Sequence, residues 1–149
     1  MDRLVHALKY EGRLSLAEWF GSRLARQLGN RPFDRIIPMP LHPDRLRERG
    51  FNQAAEIART VGRMLRIPLD IDHCRRSRPS LPQARLPLGS RSANVRGIFE
   101  CIGDLSGQHI LLLDDVMTSG ATMDECARTL KLHGAATVDA AVIARALRN

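Results

Sequence analysis

Ile110-Leu111-Leu112-Leu113 is an apolar run too dense to lie half exposed, and it ends on Asp114-Asp115 followed by Val116-Met117-Thr118-Ser119-Gly120-Ala121-Thr122. A strand that is apolar on both faces must be covered on both, as strands in the middle of a parallel sheet are. Its polar tail then lies at the carboxyl end of the sheet, where α/β proteins bind ligands. Beyond the tail, Met123, Cys126, Ala127 and Leu130 share one helical face before a stop at Gly134, and Val138 to Ile143 reads as a further strand. Strand, loop, helix, strand is a βαβ unit, which predicts an α/β protein with a mainly parallel central sheet and flanking helices.

The rest of the chain supplies the flanks. Residues 3–8 and 14–28 carry helical periodicity, broken near Gly12, with Leu16, Phe20, Leu24 and Leu28 recurring every fourth residue and Trp19 beside them, expected in the core or as a cover for one side of the sheet. After Gly29 to Pro32, a short buried strand is predicted at 34–38. From Phe51, the positions Ala54, Ala55, Ala58, Val61 and Leu65 line one face of a helix that ends before Pro68. Residues 69–76 alternate like a strand, and 98–102 read as another. Between them, residues 77–97 hold Pro79, Pro82, Pro87, Gly89 and Gly97 among arginines, a long basic loop of the kind that usually carries function. With 149 residues and no internal repeat, the expectation is a single domain.

Charge narrows the ligand. There are 23 Lys and Arg residues against 16 Asp and Glu, a net +7, and Lys9 and Lys131 are the only lysines. Guanidinium groups fork onto phosphate oxygens, so the excess suits phosphorylated ligands or nucleic acid, although a solvated surface explains any single arginine equally well. Aromatic residues are 4%, which disfavours a base-stacking platform. Cys74, Cys101 and Cys126 are far apart in sequence and lack the spacing of a zinc site, so neither a disulfide framework nor direct metal ligation by the protein is expected. His6, His73, His109 and His133 show no paired metal spacing. No run approaches the roughly 20 apolar residues of a membrane helix, and a cytoplasmic protein without membrane insertion is the expectation.

The segment after the apolar strand carries the chemistry. Thr118, Ser119 and Thr122 offer hydroxyls, Gly120 permits close backbone approach, and the N–H groups of residues 118–122, Ala121 included, can wrap a phosphate at a helix N-terminus. Asp114 and Asp115 would accept hydrogen bonds from a sugar diol and repel a second phosphate. Together they imply a ribose phosphate; a mere helix cap is the plainer alternative.

This stretch resembles the phosphoribosyl pyrophosphate (PRPP) signature of type I phosphoribosyltransferases. Ile37 to Pro43, Arg45 to Gln53, Ser80-Leu81-Pro82-Gln83, Arg91 and Asn94 to Phe99 extend the resemblance over nearly the whole chain to the competence-associated ComF, or GntX-type, family. The resemblance implies a type I phosphoribosyltransferase fold, with residues 118–122 on the 5′-phosphate and Asp114 and Asp115 on the ribose hydroxyls. It implies a pyrophosphate loop at Pro40, Leu41 and His42 with Arg45 and Arg49 assisting, and magnesium bound together with PRPP. His42 could equally be a loop histidine without catalytic duty, and Arg45, Arg47 and Arg49 a solvated cluster. The basic stretch 75–97 corresponds to the family's flexible loop, with Arg78, Ser80, Gln83 and Arg91 as its candidates. The chain departs from the pattern in lacking the cysteine cluster that commonly binds zinc ahead of the first helix. It also has Ser80 for the usual threonine and Arg85-Leu86-Pro87 for a small-residue segment.

Two functions follow from the resemblance. One is transfer of phosphoribosyl from PRPP to an acceptor that the sequence does not name, with release of pyrophosphate and no side chain standing out as the base. The other is a non-catalytic module of DNA uptake that keeps the sugar-phosphate pocket and contacts single-stranded DNA or proteins of the competence machinery. An oligomer is compatible with both.

Overall fold

The computed structural model describes residues 14–78 and 95–146. The helix predicted at 3–8 and most of the loop predicted at 77–97 lie outside the described residues. The elements run α1 (Leu14–Leu28), β1 (Arg35–Pro38), α2 (Pro43–Arg49), α3 (Gln53–Leu65), β2 (Cys74–Arg76), β3 (Phe99–Cys101), β4 (His109–Met117), α4 (Ala121–Leu132) and β5 (Thr137–Arg145).

The apolar run forms the centre of the sheet. Strand order is β1-β4-β5, all parallel, with Ile36 opposite Leu111 on one side of β4 and Leu112 opposite Ala140 on the other. Ile110, Leu111, Leu112 and Leu113 are completely buried. Burial of four consecutive strand residues requires cover on both faces, and α3 and α4 both pack on β4. Helix α1 stacks on α3. That approach is close because Gly21 lies where a Cβ would come within 2.6 Å of Thr60 Cβ. Gly62 likewise faces the Ile67 carbonyl, which an added Cβ would meet at 2.8 Å.

Three expectations are corrected. The strand expected at 69–76 is two pieces, because the Asp70 carboxylate accepts the N–H groups of Asp72 and His73 and turns the chain. Leu69 bridges in parallel to Ile36, while Cys74–Arg76 pairs antiparallel with Phe99–Cys101 as a separate two-stranded sheet. Of the two places expected for Trp19, the core is the wrong one: it is 49% exposed with the Arg23 guanidinium over its ring and lines a hollow with Val142 and Ile143 of β5, while its neighbour Phe20 fills the interior. The strand expected at 110–114 continues through both aspartates to Met117. In addition to these, Pro43–Arg49, to which the sequence reading assigns no element, is a short helix, with His42 at its N-cap accepting the Asp44 N–H and Gly50 closing it at φ 78°.

Candidate functional site

At the carboxyl ends of β1 and β4 the chain opens a cleft of about 190 Å³. One wall is the turn after β1, Met39-Pro40-Leu41; another is the run from Asp114 to Thr118 with Gly120, Thr122 and Met123; Arg76 of β2 closes a third. Parallel strands that end at the same edge leave their following loops side by side, so two remote segments meet here.

The aspartates sit at an irregularity of the ladder. Partners of β4 and β5 run unbroken to Asp114 opposite Val142, skip Asp115, and resume at Val116 opposite Ala144. At that point the Asp114 carboxylate accepts the Asp115 N–H at 2.8 Å, and the Asp115 carboxylate accepts the Val116 N–H at 2.7 Å. Each acid is thereby oriented by the next peptide unit, and Asp115 is only 8% exposed. Beyond them, Gly120 adopts φ 86° and begins α4, so its left-handed conformation turns the loop into the helix N-terminus. Ser119 Oγ accepts the Ala121 N–H at 3.4 Å, and no side chain caps the helix from Gly120. Donors at such a terminus suit an anion.

Arg76 is the residue that sequence reasoning missed. Burial lowers its pKa below the usual guanidinium value, the Asp114 carboxylate opposes that shift, and the Arg45 charge adds to it. A guanidinium at a cleft wall, within the field of a carboxylate and of another guanidinium, is of the kind that binds anions. Strand alternation could have found it: in Cys74-Arg75-Arg76 the outer two share a face, and Cys74 is buried. Arg75 points the other way, onto Glu100 at 3.1 Å.

The remaining candidates are placed as follows. Asp114, Asp115, Thr118, Gly120 and Thr122 line the cleft with Pro40 and Leu41, whereas Ser119 of the loop and Ala121, the first residue of α4, are outside its lining. His42 caps α2, Arg45 pairs with Glu48 at 3.2 Å, and Arg49 donates to Gln53 at 3.2 Å. Asn52 ties α3 to the β1 turn by donating to the Met39 carbonyl at 3.0 Å. Arg78 is exposed near Glu100; Ser80, Gln83 and Arg91 lie outside the described residues. Among the described residues no three His, Cys, Asp or Glu side chains converge as a metal cage, and no helix is long and apolar enough to cross a membrane.

Comparison with known proteins places this geometry in a family. Residues 46–148 match the phosphoribosyl transferase domain model. The chain belongs to the phosphoribosyl transferase domain family, in its ComF-type branch. It is 32% identical over 154 aligned positions to the DNA utilization protein YhgH of Shigella flexneri, covering 99% of this chain and 68% of that one. It is 31% identical over 130 positions to the competence protein ComFC of Streptococcus pneumoniae, covering 87% and 56%. The fold is shared with the glutamine PRPP amidotransferase of B. subtilis, at TM-score 0.58 and 19% identity over 85% of this chain and 26% of that one. The type I phosphoribosyltransferase fold expected from the ComF-type resemblance is therefore the fold observed.

Proposed function

We propose that the ComF-type chain binds PRPP in this cleft and transfers its phosphoribosyl group to an acceptor, releasing pyrophosphate. The observation that carries the reading is the meeting, in one cleft, of two oriented carboxylates, a loop of hydroxyls and glycine that leads into a helix N-terminus, and a half-buried guanidinium. Residues 118–122 hold the 5′-phosphate through N–H groups and hydroxyls, and Asp114 and Asp115 accept from the ribose hydroxyls. The diphosphate lies toward Pro40, Leu41 and Arg76, with Arg45 and Arg49 nearby in sequence and His42 fixing the helix that carries them.

In the transfer, the acceptor's nucleophile bonds to the anomeric carbon while the bond to diphosphate oxygen breaks, and diphosphate leaves with the electron pair. Positive charge then develops on the sugar beside Asp114 and Asp115, where carboxylates stabilise it, and negative charge develops toward Arg76. The two cleft carboxylates, Asp114 and Asp115, supply the hard oxygen atoms that would hold magnesium alongside phosphate oxygens and water. Bound there, the ion would neutralise diphosphate charge.

Thermal denaturation with PRPP and magnesium tests the pocket: a ligand at 100 times its Kd adds about 2.7 kcal/mol and raises the melting temperature. Asp114→Asn with Asp115→Asn should remove that rise, and an unchanged rise in the double variant would refute the assignment. Pyrophosphate release on screening acceptors tests the transfer itself.

The names of the relatives support a second reading, in which the same pocket serves a non-catalytic part in DNA use through single-stranded DNA or competence proteins. PRPP stabilisation without turnover on any acceptor, together with salt-sensitive binding of single strands, would favour it.

A further inference from the structure

Three cysteines that the sequence separates meet beside the cleft. Cys74 and Cys101 are directly opposed across β2 and β3. The flanking bonds, Ile102 N–H to the His73 carbonyl and Ser77 N–H to the Ile98 carbonyl, make Cys74 and Cys101 a non-hydrogen-bonded pair. In antiparallel strands that kind of pair brings Cα atoms to about 4.5 Å and the side chains closest together, inside the range a disulfide spans. From α4, Cys126 brings its Sγ to 3.8 Å from that of Cys74. Cys74 and Cys126 are buried, whereas Cys101 is partly exposed, and all three are free thiols.

We propose that this trio is an oxidation site for low-molecular-weight disulfides, with Cys101 as the point of entry and Cys74 as the thiol that closes the bridge. Cys101 sulfur attacks one sulfur of the small disulfide, forming a mixed disulfide and releasing one small thiol that carries away the Cys101 proton. Cys74 sulfur then attacks Cys101 sulfur, and the second small thiol leaves with the Cys74 proton. Two protein thiols are oxidised and one small disulfide is reduced to two thiols, so the step balances. Attack of Cys126 on Cys74 can move the bridge onto α4 and return Cys101 to the thiol, without any further oxidant.

The reduced trio is held quiet by its own packing. The hydrogen bond with Cys101 favours the Cys74 thiolate, but contact with Cys126 and burial outweigh it and push the Cys74 thiol up. The bond with Cys74, then burial, push Cys101 up as well. Closure therefore proceeds slowly and depends on oxidant in excess. Its place gives it a consequence. Cys74 is two residues from Arg76 on the same strand face, so a bridge to Cys101 pins the strand that carries the cleft's guanidinium, and one to Cys126 joins that strand to the helix beginning at the phosphate loop.

The test uses the folded chain with excess oxidised glutathione, alkylation of remaining thiols, and mass spectrometry of a non-reduced digest by a glutamate-specific protease, whose cuts after Glu56, Glu100 and Glu125 put the three cysteines on separate peptides. The wild type should give a linked peptide pair joining Cys74 to Cys101 or, after exchange, to Cys126, and Cys126→Ser should restrict it to Cys74–Cys101. Cys74→Ser should stop at a glutathione adduct on Cys101, and Cys101→Ser, whose other thiols are buried, should stay reduced while folded. A wild type that stops at the adduct, or a Cys74→Ser variant that bridges Cys101 to Cys126, overturns the proposal. Cys126→Ser keeps the test decisive if Cys74→Ser fails to fold, because the proposal requires that variant to bridge Cys74 to Cys101.

Discussion

Single residues at this site are specified by the bonds that hold them. Arg76 tests the charge role, since Arg76→Gln keeps a polar, though shorter, side chain while removing the cation. The variant should lose most of the stabilisation by PRPP and magnesium at a near-normal melting temperature without ligand, read by the same thermal assay. Asp70 makes a contrasting case away from the cleft. Burial opposes its ionisation, but the His73 N–H and ring, the Arg35 guanidinium and the Asp72 N–H together hold its pKa below the usual carboxylate value. Such a group contributes stability that is complete above its unfolded pKa and is lost as pH falls through the lower folded one, hence below about pH 4. Asp70→Asn should therefore flatten the acid limb of stability against pH and cost about 1–3 kcal/mol at neutral pH, measured by urea denaturation. An acid limb as steep as the wild type's would remove Asp70 from that account.

At the scale of elements, β4 and α4 work as one device: a buried strand, an irregularity that aims two acids, and a glycine that turns the chain into a helix. Leu112→Ala empties space at a completely buried position between two strands. It should cost about 2–5 kcal/mol in urea denaturation. Gly120→Ala is different in kind, because φ 86° puts an alanine in the left-handed region at roughly 1–2 kcal/mol while the space around it is ordinary. Its signature should be a weakened PRPP response larger than the loss of stability explains, since the loop's N–H groups would be re-aimed. Much of this device was legible in the sequence, because an apolar run followed by acids, hydroxyls and glycine is local. The turn at Asp70 was not, since alternation continues through it and only the carboxylate's bonds reveal the break.

For the whole molecule, the net +7 charge bears on the choice between the two readings of function. Single-stranded DNA binding by arginine contacts should weaken steeply with salt and depend little on sequence. A site neutralising about four phosphates loses roughly 50-fold on a fourfold rise in salt. Fluorescence anisotropy on labelled single strands measures this, and absence of binding at low salt would leave only the small-molecule role. A PRPP response retained under conditions that abolish DNA binding would show that the two ligands use separate surfaces.

The amino-acid order alone determined the α/β class, the central strand and the glycine-containing loop after it, because each is written in residues close together and enforced by burial or backbone chemistry. Tertiary structure alone decided that Arg76 closes the cleft, that Trp19 stays outside the core, and that three distant cysteines touch. Those facts depend on which strand ends and helix faces meet. Such meetings follow from packing of the whole chain, which no local pattern encodes.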